Sequence, residues 1–189
     1  YEAAEDLLGE ALRVWRAAGY EIGIALATSN LGRAGARAGR HVAGLALLED
    51  AAARFGRIGA EGYVDETRAR IAEALVLAGR AVEAEAIGRE TLVRVRREAP
   101  TSVLAAQLER TLGWAALQLG DPDRARGHFD ASLAEARSLN AQFEVALTLR
   151  ALLALPADDE AHRAAGTAEA EAILARLGVV AVPEPGFLP

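Results

Sequence analysis

The chain has 189 residues, of which 52% are hydrophobic and 5% aromatic, and a formal net charge of −6. That length and apolar content exclude a disordered tail and suit one domain or a short repeat array with a continuous core. The acidic balance argues against sequence-independent nucleic-acid binding, which draws on a net basic surface, and zero Cys excludes disulfides, thiol chemistry and cysteine zinc sites.

The apolar content is mostly Ala, Leu, Val and Ile, and every one of the 21 basic residues is Arg. Ala, Leu and Arg favour helix, so helix is expected nearly throughout. The Arg-only bias reads as high-GC coding and points to a bacterial source. No run approaches the ~18 consecutive apolar residues of a membrane span and no signal-like segment opens the chain, so a cytoplasmic protein without membrane contact is expected.

Residues 1–20 read as the second helix of an incomplete N-terminal repeat. Ala4, Leu8, Ala11 and Leu12 take the places that Gly44, Leu48, Ala51 and Ala52 hold one period later. With Tyr1 in place of Met, this suggests a fragment that opens in mid-repeat. Lacking its hairpin partner, this helix is expected to expose an apolar stripe including Leu7, Leu8, Leu12 and Trp15, against a missing repeat or in self-association.

Residues 21–60 form repeat 1. Its first helix carries Ile24, Leu26, Ala27 and Leu31 and stops at Gly39; its second runs from about His41 to Ile58 and buries Val42, Leu45, Leu47, Leu48, Ala51 and Phe55. Residues 61–99 form repeat 2, with helices Tyr63 to Ala78 and Ala81 to about Arg97 on either side of Gly79. Residues 100–140 form repeat 3. Pro100-Thr101-Ser102 reads as its start, and Gly120-Asp121-Pro122 supplies a helix stop, an N-cap and a Pro at the first position of the next helix.

Residues 141–178 read as a degenerate repeat 4 and a capping helix, with Pro156-Ala157-Asp158-Asp159 in place of the glycine turn. Residues 179–189 read as an extended Pro-rich tail whose Val179, Val180 and Val182 cover the open end of the stack.

The spacing of the glycines ties these elements together. Gly39, Gly79 and Gly120 recur at a nearly constant interval, and each follows a small residue, Gly32, Ala72 or Gly113, by seven positions. Gly44, Ala84 and Ala125 then stand five positions after each turn glycine. Small side chains at both sets of positions let the two helices of a hairpin approach closely, so a large residue such as leucine at Ala84 is expected to overpack the contact. The interval predicts an all-α, right-handed solenoid of helical hairpins with a period of about 40 residues.

These residues carry a resemblance to tetratricopeptide repeats, clearest in repeat 3 with Leu112, Gly113, Gly120, Ala125 and Phe129 in place. The period is about six residues longer than that family's ~34-residue unit. The aromatic usual after the first glycine is replaced by Gly35, Leu75 and Ala116, and Gly88 holds a position normally large and apolar. Such elongated units resemble those of large bacterial signalling regulators and kinesin light chains. The segment Ala172 to Val179 before a Pro-rich stop is similar to the C-terminus of high-GC bacterial multidomain proteins, in which a nucleotide cyclase or DNA-binding output domain precedes the repeats. The resemblance implies a non-enzymatic protein-interaction or scaffold module, the sensor or regulatory region of a larger signalling protein.

Catalytic chemistry finds no footing in the residues. The glycines from Gly32 to Gly39 are not a phosphate loop, because the chain has no Lys. His41, His128 and His162 lie on different units without the i, i+4 spacing of a metal pair, and read as helix-surface residues. Neither metal nor cofactor is expected.

Binding is the better prospect, because the first helices of such arrays line the concave face. The register places there Asn30, Arg33 and Arg37 from repeat 1, Glu66, Arg70 and Glu73 from repeat 2, Gln107, Arg110 and Trp114 from repeat 3, and Arg150 from repeat 4. Arg residues around a Trp suit an acidic or C-terminal peptide segment. The competing expectation is that Glu66 and Glu73 neutralise Arg70 and Arg110 in interrepeat pairs, leaving a structural spacer or oligomerisation module.

Overall fold

The computed structural model describes residues 2–155, 160–180 and 182. Among them the chain is all-helical, with α1 Glu2–Ala18, α2 Glu21–Arg37, α3 His41–Arg57, α4 Glu61–Leu77, α5 Ala81–Glu98, α6 Leu104–Gln118, α7 Pro122–Ser138, α8 Gln142–Leu152 and α9 Glu160–Arg176. Two compact units divide it, residues 1–87 and 88–189, and α5 belongs partly to each.

One stop signal accounts for the regular helix lengths. At the end of α2, Gly39 adopts φ 84°, a left-handed conformation that costs an L side chain energy, and Arg40 N–H donates to Gly35 O at 2.9 Å. The same pairing of a backbone N–H with the carbonyl five positions earlier closes α1, α3, α4, α6, α7 and α9. Gly19, Gly39, Gly59 and Gly79 carry the left-handed turn at even spacing, so that it falls twice in each period expected from the hairpins. After α7 the role falls to Asn140 at φ 52°, the residue type that tolerates this region best after glycine.

The segment before α6 folds differently from its sequence reading. Pro100 and Thr101 form a turn, and α6 begins at Leu104, whose N–H donates to Ser102 Oγ at 3.2 Å. At the start of α7, Asp121 Oδ1 accepts from Arg124 N–H at 3.0 Å, with Pro122 following it, a side-chain cap that satisfies one orphan donor.

In unit 1, Leu12, Ile24 and Ala27 form a buried cluster with Trp15 and Leu31 at its edge, joining α1 to α2. A second cluster of Ala25, Ala51 and Phe55 joins α2 to α3, and Phe55 stacks on Tyr63 at 5.0 Å. Val42, expected inside, is exposed. In α1 the apolar residues part: Leu12 is buried, Leu8 and Trp15 half-buried, and Leu7 exposed together with Val14.

In unit 2, Phe129 is fully buried and meets Trp114 edge-on at 5.5 Å and 70°. A larger cluster centred on Val145, Ala146, Ile173 and Leu174 binds α8 to α9, with Val179 and Val182 packed on it. Val180 points away into solvent. The Pro156-Asp159 turn and the proline tail from 183 onward lie outside the described residues.

The small positions are spatial necessities. A Cβ on Gly32 would meet Gly44 O at 2.8 Å, and one on Gly113 would meet the Phe129 ring at 2.3 Å. Ala72, Ala84 and Ala125 are completely buried.

Candidate interaction surface

In unit 1, α2 and α4 are joined by a ladder of polar side chains at matching register. Arg33 Nε donates to Glu73 Oε2 at 3.0 Å, while Arg37 Nη2 and Nε donate to Glu73 Oε1 at 2.5 and 3.1 Å. One turn back, Arg70 Nη1 donates to Ser29 Oγ at 2.8 Å and Asn30 Oδ1 at 3.2 Å, and its Nη2 to Glu66 Oε1 at 2.5 Å. Ser29 and Thr67 hydroxyls meet at 3.3 Å in the buried interior. Burial pulls the Arg70 guanidinium below its ordinary pKa, against the opposing attraction of Glu66. All six unit 1 residues of the predicted face therefore converge, but on one another.

Unit 2 repeats the device between α6 and α8. Glu144 Oε1 accepts from Gln107 Nε2 at 2.8 Å, Arg110 Nη1 lies 2.6 Å from Glu144 Oε2, and Thr148 Oγ1 lies 3.4 Å from Arg110 Nη1. Beneath them Ser132 Oγ donates to Ala106 O and contacts Thr148 Oγ1, both at 2.8 Å. Within unit 2 Arg110 is thus paired with Glu144. Glu144, Ser29, Thr67 and Thr148 are absent from the sequence reading. Their signal is a polar residue interrupting an apolar helix face one turn from a selected Arg or Gln.

The remaining two predicted residues, Trp114 and Arg150, lie together. They line a cavity of about 430 Å³ completed by Leu153 and Ala154 at the end of α8 and by Thr167, Ala170, Glu171 and Leu174 of α9. The floor is apolar and buried at Ala170 and Leu174. Arg150 and Glu171 bring opposite charges to the lining. The α9 contribution has no sequence counterpart, because the sequence marks α9 only as a cap.

A third polar cluster corrects the reading of His128 as a surface residue. Its Nδ1 lies 2.6 Å from Oε2 of the buried Glu109, whose Oε1 accepts from Arg96 Nη2 at 2.6 Å, and Arg96 also donates to Glu135 at 2.5 Å. Burial raises the Glu109 pKa, but His128 and Arg96 together outweigh it and hold the carboxyl below its ordinary value. A depressed carboxyl stabilises the fold fully above the unfolded value and loses that contribution as pH falls through the folded one. The stability difference between the wild type and Glu109→Gln is therefore expected to be greatest where the carboxyl is ionised and to shrink as pH falls below the ordinary carboxylate range. Urea unfolding at a series of pH values checks this; a difference independent of pH would mean that the carboxylate charge is not what matters.

Among the described residues, no group of three His, Asp or Glu is disposed to hold a metal ion, and no helix is long and apolar enough to cross a membrane. No model of a known protein family matches the chain, and no curated protein matches it.

Proposed function

We propose that the chain is a protein-interaction module of tetratricopeptide-like hairpins, stacked as a right-handed solenoid with a period of about 40 residues, that takes up a peptide segment at its unit 2 cavity. The recurring glycine stops and the matched polar ladders support the repeat reading. The observation that carries the binding reading is the cavity itself, which Trp114 and Arg150 line together with the buried Ala170 and Leu174. The ladder residues Arg33, Arg37, Arg70 and Arg110 are engaged by carboxylates of the same unit. They serve as struts between helices of one unit, and the ligand is assigned to the cavity that Trp114 and Arg150 line.

About 430 Å³ lies within the ordinary range of ligand sites and is large enough for an apolar side chain with its flanking backbone. Leu153, Ala170 and Leu174 receive that side chain, the Trp114 ring covers it, and the Arg150 guanidinium takes a neighbouring carboxylate or backbone carbonyl. The ligand class is thus a short peptide bearing one large apolar residue next to an acidic residue or a C-terminal carboxylate.

Trp114 and Trp15 are the two tryptophans, so Trp15→Phe leaves Trp114 as a sole reporter. Peptides selected by display on this variant are expected to quench or shift its emission, and Arg150→Gln is expected to weaken them by about ten-fold or more, the worth of one charge-assisted bond. Selection that yields no such peptides, or peptides indifferent to Arg150→Gln, would overturn the reading.

A further inference from the structure

We infer, on the reading of the unit 2 cavity as a peptide site, that Glu171 sets its specificity by selecting peptides with a basic side chain in addition to the group that Arg150 holds. The two residues line one cavity, Arg150 from α8 and Glu171 from α9. Along α9, Thr167, Glu171 and Leu174 succeed one another at spacings of four and three, so a single helix face carries the carboxylate into the cavity wall. Three other charges of α9 serve the fold. Glu169 pairs with Arg137 at 2.7 Å, Arg163 Nη2 donates to Leu153 O at 3.0 Å, and Arg176 Nη2 donates to Gln142 Oε1 at 2.9 Å. Glu171 has no counter-ion along its own helix: the positions three and four away hold Thr167, Ala168, Leu174 and Ala175.

Opposite charges on the two walls decide which peptides the cavity accepts. A peptide whose only charges are acidic satisfies Arg150 but brings its carboxylates into the field of Glu171. A peptide that also carries a basic residue sets a favourable charge against each wall. Complementarity of this kind works largely by penalising the wrong partner. Glu171 therefore discriminates against wholly acidic segments, while contact of the apolar residue with Trp114 and Leu174 is common to all candidates. Glu171 is exposed and Arg150 half-buried, so water screens the Glu171 pairing more. Its expected contribution to affinity is about three- to five-fold, less than that of Arg150.

The test uses random short peptides displayed against the full chain, with wild type and Glu171→Arg in parallel. Wild type is expected to enrich peptides with a basic and an acidic residue beside a large apolar one, and Glu171→Arg peptides with acidic residues only. One peptide enriched on the wild type is then synthesised with a blocked N-terminus, so that a side chain and not the terminal amine supplies the cation. A second form carries glutamine in place of the basic residue. The glutamine form is expected to bind wild type about three- to five-fold more weakly, to bind Glu171→Gln as well as the basic form does, and to be preferred by Glu171→Arg. Circular dichroism confirms that these exposed substitutions keep the helices. Peptides that depend on Arg150 yet bind wild type equally in both forms would overturn the role of Glu171 and leave the cavity as a peptide site. A preference for the basic form that persists undiminished in Glu171→Gln would overturn it too. A selection that yields no peptide dependent on Arg150 would overturn the peptide site itself, and the specificity with it.

Discussion

Gly44→Ala is expected to destabilise the protein, although alanine is the better helix former by about 1 kcal/mol. Gly44 lies on α3, where a Cβ would meet Ala36 N and Gly32 O at 2.7 Å and Ala36 Cα at 3.0 Å. All three belong to the α2 backbone, so no side chain can swing aside, and α2 must move away from α3 along a contact that also holds Leu48 and Gly32. Overpacking of this kind costs about 1 to 3 kcal/mol, and Gly44→Leu is expected to exceed that range or abolish folding. The control sits on the same helix. Gly56 has nothing within 4 Å of its would-be Cβ, so Gly56→Ala is expected to stabilise by about 0.5 to 1 kcal/mol. Urea unfolding followed by circular dichroism should therefore move the midpoint in opposite directions for the same chemical change at two positions of one helix. A stabilising Gly44→Ala would mean that α2 and α3 are not in backbone contact.

This contrast also shows where the sequence speaks clearly. Gly32, Gly44 and Gly113 are legible as close-contact positions because the repeat places them in register with alanines, and a residue class held at a fixed interval has one simple physical cause. Helix ends are legible for the same reason, since Gly39, Gly79 and Gly120 combine an interval with a conformational demand. The intermediate stops at Gly19 and Gly59 carry the same information but are masked by the longer period. Polar partnerships are less legible. Which carboxylate meets Arg110 depends on helix rotation to within a fraction of a turn, and Glu144 and Glu66 are equally acidic in a sequence. The cavity is legible only on the sides contributed by Trp114 and Arg150. Its third wall comes from α9, where Thr167 and Glu171 follow no motif and acquire a shared surface only when that helix docks on α8. His128 misleads because a lone histidine on a polar helix face gives no sign of the Glu109 carboxylate packed beneath it.

Glu144→Ala is the second substitution expected to have a large effect, and it separates a strut from a binding residue. Within unit 2 the side chains of Arg110 and Glu144 are 12% and 7% exposed and 2.6 Å apart. Truncating Glu144 leaves the Arg110 guanidinium buried with only the weak Thr148 contact and removes the acceptor of Gln107. Breaking a buried ion pair from one side typically costs about 3 to 5 kcal/mol, because a desolvated charge is left behind. In unit 1, by contrast, Glu73 is 27% exposed and shared between Arg33 and Arg37. Water can replace it there, so Glu73→Ala is expected to cost about 1 kcal/mol or less. The double replacement Arg110→Met/Glu144→Leu discards charge and countercharge together and is expected to recover most of the loss of Glu144→Ala, since such pairs are often exchanged for apolar residues at little net cost. Urea unfolding of the three variants against the wild type measures these differences. If the pair is a strut, the double variant folds normally and still binds peptides selected at Trp114 and Arg150. If Arg110 instead contacts the ligand, the same variant folds but loses that binding, and the site would have to be extended along α6 from Trp114 to Arg110.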